Sequence, residues 1–190
     1  MTTPNGRSLL TDGDEAAFQA RLLAIARRTA LEESPEALST VRLARDAGAT
    51  RVAVERRFRN RGELVAALQG DILGEAAAGL LDALGGMSPR RPQALETLCR
   101  LWVAHWLERP DLFRIAFADG APPPRTGPRD PLSALSAYFD DGLEGPDGAA
   151  RADLLLCSLH GIVQAQLGPR PGDWADPGDL VSLAVAAARG

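Results

Sequence analysis

The stretch from Ser39 to Leu64, STVRLARDAGATRVAVERRFRNRGEL, constrains this chain more than any other. Leu43, Ala44 and Ala47 give a first short helix one small apolar face. Gly48 follows at once, where a chain leaving a helix needs a left-handed residue that glycine adopts without steric cost. Thr50 then stands where its hydroxyl caps a second helix, accepting one of the N–H groups that a helix start leaves unpaired. On that second helix Val54 and Phe58 lie four apart, spaced to pack back onto Leu43 and Ala47. The polar positions left over are almost all arginine. Between Arg42 and Arg61, the arginines at 42, 45, 51, 56, 57, 59 and 61 stand against only Asp46 and Glu55, a local charge of +5 in a chain whose total is −4. Two small helices, a glycine turn and a cationic second helix describe a helix-turn-helix.

The rest of the composition agrees with an all-α chain. Of the 190 residues 45% are hydrophobic and only 5% aromatic, and the abundance of Ala and Leu favours helices over sheets. A net charge of −4 and a pI near 5.2 argue against a protein that coats nucleic acid indiscriminately. Basicity gathered in one place is what site-directed binding needs. All 21 basic residues are arginine, which GC-rich bacterial coding explains as well as selection for bidentate contacts does. Cys99 and Cys157 have no metal-ligand spacing and predict reduced, mostly buried thiols in a cytoplasmic protein. No signal peptide opens the chain and no apolar run approaches about 18 residues, so no membrane partner is expected.

In chain order, residues 1–13 are polar and contain Gly and Pro, and predict a disordered arm. A helix follows from about Glu15 to Glu32, with Phe18, Leu22, Ile25 and Ala26 on one face, and Ser34-Pro35 ends it. Ser39 caps the next. Glu63 to about Gly85 reads as a long helix with Gly70, Gly74 and Gly79 inside it, each costing about 1 kcal/mol against Ala. These glycines either admit a closely packed helix or soften the connector. Residues 92–108 form a further helix, and Pro110 opens a short one at a position where its missing N–H costs nothing. Residues 120–131 hold five prolines and predict a surface loop. Helices from about Asp130 to Gly142, Ala149 to Leu167 and Asp179 to Arg189 complete the chain.

The segment Val41-Arg-Leu-Ala-Arg-Asp-Ala-Gly-Ala-Thr50 resembles the DNA-binding segment of TetR-type transcriptional regulators, whose turn commonly reads Ala-Gly-Val-Ser. The family's recognition helix usually ends in Tyr-x-His-Phe-x-x-Lys, and here Glu55-Arg-Arg57-Phe58-Arg-Asn-Arg61 stands in its place. Arg57 and Arg61 keep or add positive charge; Glu55 and Val52 depart from the pattern. Glu108-Arg-Pro-Asp-Leu-Phe-Arg-Ile-Ala-Phe117 is similar to a corner found in the family's C-terminal domains, and Leu159-His160-Gly161 to its Trp-His-Gly. The resemblance implies a helix-turn-helix domain over residues 14–66 and a helical effector-binding and dimerisation domain over 67–190. It also implies that the last two long helices dimerise, with Leu155, Leu159, Ile162, Val163, Leu180, Leu183 and Val185 as their apolar surface.

The function so implied is a ligand-responsive regulator, a repressor that binds a palindromic double-stranded DNA operator as a homodimer. Arg51, in the first turn of the recognition helix, is placed for a base edge, where arginine pairs bidentately with guanine. Arg42, Thr50, Arg56, Arg57 and Arg61 are candidates for phosphate contacts. Val52 and Glu55 complete the DNA-facing set, although a carboxylate beside phosphate is repelled. Trp102, His105, Trp106, Phe113, Phe117, Tyr138, Phe139 and His160 are candidate lining for a pocket that takes an unknown small-molecule effector, and no cofactor or metal is implied. Tyr138, the sole tyrosine, offers the pocket a hydroxyl. An enzyme is not expected, because neither histidine sits in a catalytic motif. The alternative is a dimeric small-molecule-binding protein of this fold with impaired DNA recognition, for which Glu55 and Val52 are the argument.

Overall fold

The structure, a computed structural model, describes residues 12–118, 131–143, 145 and 147–190. The expected arm up to residue 11 and most of the proline-rich segment, 119–130, lie outside the described residues. Among the described residues all regular structure is helical, as the composition predicts. The elements are α1 (Asp12–Glu32), α2 (Thr40–Asp46), α3 (Arg51–Glu55), α4 (Arg61–Ala83), α5 (Ala94–Leu107), α6 (Pro110–Ala116), α7 (Pro131–Gly142), α8 (Gly148–Gln166) and α9 (Pro177–Arg189). They form two compact units, one ending at Gln69 and the other beginning at Gly70. α4 runs through the division and contributes a length of helix to each.

In the first unit the predicted local chemistry is present. The Ser39 hydroxyl accepts from the Arg42 N–H at 3.1 Å to cap α2, and Thr50 accepts from the Ala53 N–H at 3.2 Å to cap α3. Gly48 has φ of 60°, the left-handed conformation that excludes most side chains. Arg21 of α1 donates to the Ala47 carbonyl at 3.0 Å and pins the turn from outside. Leu22, Ala26, Leu43, Ala44, Val54, Phe58, Leu64 and Leu68 are buried together as the core. Phe18 and Ile25 are only half-buried. α3 is shorter than expected: it ends at Glu55, so Phe58 is not on it, although the Phe58 N–H still reaches the Val54 carbonyl at 2.9 Å. The chain turns away because α4 needs its own cap. The Asn60 side chain accepts from the Glu63 N–H, and the Glu63 carboxylate accepts from the Arg59 N–H, both at 2.9 Å.

In the second unit α5, α8 and α9 pack on one another, with α7 against α5 and α8. Leu95, Leu98, Cys99, Trp102, Val103 and Trp106 of α5 are buried there. So are Leu155, Leu159, Ile162 and Val163 of α8 and Val185 of α9, which corrects their reading as an intersubunit surface. They belong to the core of the single chain. α8 carries a second apolar edge, with Leu154, Cys157 and Gly161 exposed at helical spacing, and on α9 Leu183 is 67% exposed. Cys157 is thus exposed where a mostly buried thiol was expected, while Cys99 is buried. A Cβ built on Gly74 or Gly79 would meet nothing within 4 Å, so close helix packing inside this chain does not require them. α4 is long and apolar enough to cross a bilayer, with mean hydropathy 1.4, but half of that window is buried in the protein, as in a core helix.

Candidate functional site

The arginine-rich face of the first unit is already partly neutralised. Arg42 gives both terminal amino groups to the Glu33 carboxylate, one at 2.6 Å, and its Nε to Asp46 at 3.3 Å. Hydrogen bonding to Glu33 and then Asp46 pushes the guanidinium pKa up, and Arg42 holds the Glu33 carboxyl below the usual carboxylate range. Arg45 bonds Asp46 at 2.9 Å, and Arg59 bonds Glu63 at 3.1 Å. Arg57 meets Glu15 of α1 at 2.6 Å, and Arg51 meets Glu55 at 2.6 Å. Arg61 donates to the Pro35 carbonyl at 3.0 Å. Arg56 is exposed and makes no ion pair among the described residues.

Among the described residues, five of the seven arginines therefore pair with five carboxylates, where the motif alone offered two. Glu63 lies only four residues after Arg59, close enough in sequence to be counted with the motif. Glu15 and Glu33 are brought in by the tertiary fold from outside the motif, and nothing in their local sequence marks them. Of the residues expected to face DNA, Thr50, Arg51, Val52, Arg56 and Arg61 are exposed, and Arg42, Glu55 and Arg57 are half-buried. Val52, 61% exposed, presents an apolar side chain on a cationic face, the kind of group that contacts a thymine methyl.

The second unit gathers six of the eight candidate pocket residues into one aromatic cluster. Trp106 lies edge-on to Trp102, His105, Phe113 and Phe117, with centroids 4.8–5.7 Å apart. His160 lies 5.0 Å from Phe113 and 4.8 Å from Phe117. Trp102, Trp106 and Phe113 are buried, whereas His105, Phe117 and His160 are half-buried and form the wet side of the cluster. Burial depresses the pKa of both histidines, and Arg109 depresses that of His105 further. The indole N–H groups of Trp102 and Trp106 are buried without a hydrogen-bond partner among the described residues. Orphaned donors of this kind cost about 1–3 kcal/mol each.

Tyr138 and Phe139 are buried but make no ring contact with this cluster among the described residues. The Tyr138 hydroxyl donates to the Met87 carbonyl at 3.0 Å, which ties α7 to the loop after α4. That hydroxyl is committed to the backbone, not offered to a cavity. Burial also pushes the Cys99 thiol up to about 12, so it is an unreactive core group. No set of His, Cys, Asp and Glu among the described residues is arranged to hold a metal ion.

No family model matches the chain, and no curated protein matches it in sequence. Solved structures do match it in fold. A protein of unknown function from Rhodococcus sp. RHA1 is 20% identical, with TM-score 0.65 and 97% of each chain covered. The SmeT–triclosan complex is 18% identical, with TM-score 0.55 over 90% of this chain and 91% of that one. SCO4454, a TetR-family transcriptional regulator from Streptomyces coelicolor, is 22% identical, with TM-score 0.51 over 92% and 94%. A helix-turn-helix unit followed by a helical C-terminal unit is thus the fold this chain shares with a TetR-family regulator.

Proposed function

We propose that this protein is a ligand-responsive DNA-binding transcriptional regulator, a repressor that occupies a palindromic operator as a homodimer. The observation that carries the reading is the capped pair α2–α3, with Gly48 left-handed between them, Arg51 and Val52 exposed on the second helix and Arg56 exposed at its C-cap. That is the arrangement by which a recognition helix enters a major groove. Arg51 reads a base edge; Thr50, Arg56 and Arg61 engage phosphates, joined by Arg42 and Arg57 where phosphate displaces their carboxylate partners.

The outward edges of α8 and α9, with Leu154, Cys157, Gly161 and Leu183 exposed, supply the face for a second copy. The cluster of Trp102, His105, Trp106, Phe113, Phe117 and His160 receives the effector. The complex of the similarly folded SmeT with triclosan supports a small-molecule effector, and the two indole donors left without a partner among the described residues favour one carrying a hydrogen-bond acceptor. Such a ligand changes DNA occupancy only if it prefers one arrangement of the dimer over another.

The test is a salt titration of the purified protein against the duplex flanking its own gene and a scrambled duplex of equal composition. Specific binding that persists at physiological salt supports the regulator. Weak binding that vanishes equally for both duplexes favours instead a dimeric ligand binder with impaired DNA recognition, the reading to which the carboxylates on the arginine face lend support.

A further inference from the structure

Arg51 and Glu55 form an ion pair whose placement helix stability does not explain. Arg51 is the first residue of α3 and Glu55 the last. A cation at the N-terminal end and an anion at the C-terminal end both oppose the helix dipole, and arginine four residues before glutamate is the weaker order for such a pair. The contact is nevertheless close: Nε of Arg51 donates to Glu55 Oε1 at 2.6 Å. Arg51 remains 67% exposed at its side chain and Glu55 33%, so the guanidinium stays open to solvent while the carboxylate is the more covered of the two. With Nε engaged, the two terminal amino groups of Arg51 make no hydrogen bond among the described residues. That outer edge is one that pairs with O6 and N7 of guanine. The same carboxylate repels phosphate, which keeps Arg51 from settling on the backbone.

Resting on the regulator reading above, we infer that Glu55 is a specificity-determining positioning residue. It holds Arg51 as a reader of guanine and prevents it from acting as a phosphate clamp. The departure from the family pattern at Glu55 then sharpens recognition at some cost in affinity.

The experiment uses the full chain and a duplex selected by the wild type from a random-sequence pool, with a scrambled duplex of equal composition as reference. Glu55→Gln keeps the size of the side chain and removes its charge. The expected result is tighter binding to the scrambled duplex and a drop of about tenfold in the selected-to-scrambled ratio, within what one arginine–guanine pair supplies. Arg51→Ala lowers the ratio at the same base pair, and adding Glu55→Gln to it lowers the ratio no further. If Glu55→Gln tightens both duplexes equally, Glu55 only repels DNA and the inference fails while the regulator reading stands. A wild type that selects no sequence overturns both.

Discussion

Glu15, near the start of α1, closes on Arg57 at 2.6 Å across forty-two residues of chain. The contact stitches the first helix of the helix-turn-helix unit to the turn that follows α3, and it uses a guanidinium that the motif alone offers to phosphate. In the proposed complex the duplex must compete with Glu15 for that one residue.

Removing that competitor frees the cation. Glu15→Gln is expected to raise affinity for random duplex and to steepen its salt dependence, by up to about 0.9 in the log–log slope for one added phosphate contact. The fold should lose less than about 1 kcal/mol, since the pair is partly exposed. Salt titrations and thermal melts of the two proteins check both parts.

Arg61 is exposed and donates to a backbone carbonyl, that of Pro35, which leaves its charge for the proposed phosphate contact. Arg61→Ala should weaken selected and scrambled duplexes by the same factor and reduce the salt slope by about 0.9. A larger effect on the selected duplex would make Arg61 a base reader.

The exposed edges of α8 and α9 place two leucines in water if the chain stays alone. Leu154→Glu with Leu183→Glu should convert a dimer to a folded monomer, because neither side chain belongs to the buried core. Sedimentation reads the mass and far-ultraviolet circular dichroism the fold. Val163→Glu, at a fully buried position, should unfold the unit instead.

Tyr138→Phe leaves the Met87 carbonyl without its donor at a part-buried position, and should cost about 1 kcal/mol of stability in urea unfolding. Effector binding, read from tryptophan fluorescence, should be unchanged, since Tyr138 makes no ring contact with Trp102 or Trp106 among the described residues.

His105 and His160 both titrate below their ordinary 6.5 because burial penalises the charged ring. The unfolded chain then binds protons at a pH where the folded chain does not, so stability rises with pH below about 6.5 and levels off above it. Acidification from neutrality should lower the melting temperature before carboxylates begin to protonate. His105→Gln with His160→Gln should flatten that limb.

The helix-turn-helix was legible because its determinants are local. Gly48 at a left-handed turn and Ser39 and Thr50 as caps each act within about three residues of the groups they serve, and each is a property of residue type and spacing. The helical class and most helix limits followed from apolar periodicity in the same way. The length of α3 did not, because the cap formed by Asn60 and Glu63 competes with the end of that helix. What only the tertiary structure decided are pairings between distant segments. Periodicity marks that α8 has apolar residues but not which edge meets α5 and α9, so Leu155 and Leu159 went inside while Leu154 stayed out. Tyr138 found a backbone carbonyl fifty-one residues away and left the aromatic cluster to others. The charge of the arginine face depends on Glu15 and Glu33, which no count within the motif includes. Electrostatics acts through space, and a linear sequence does not state which charges the fold will bring together.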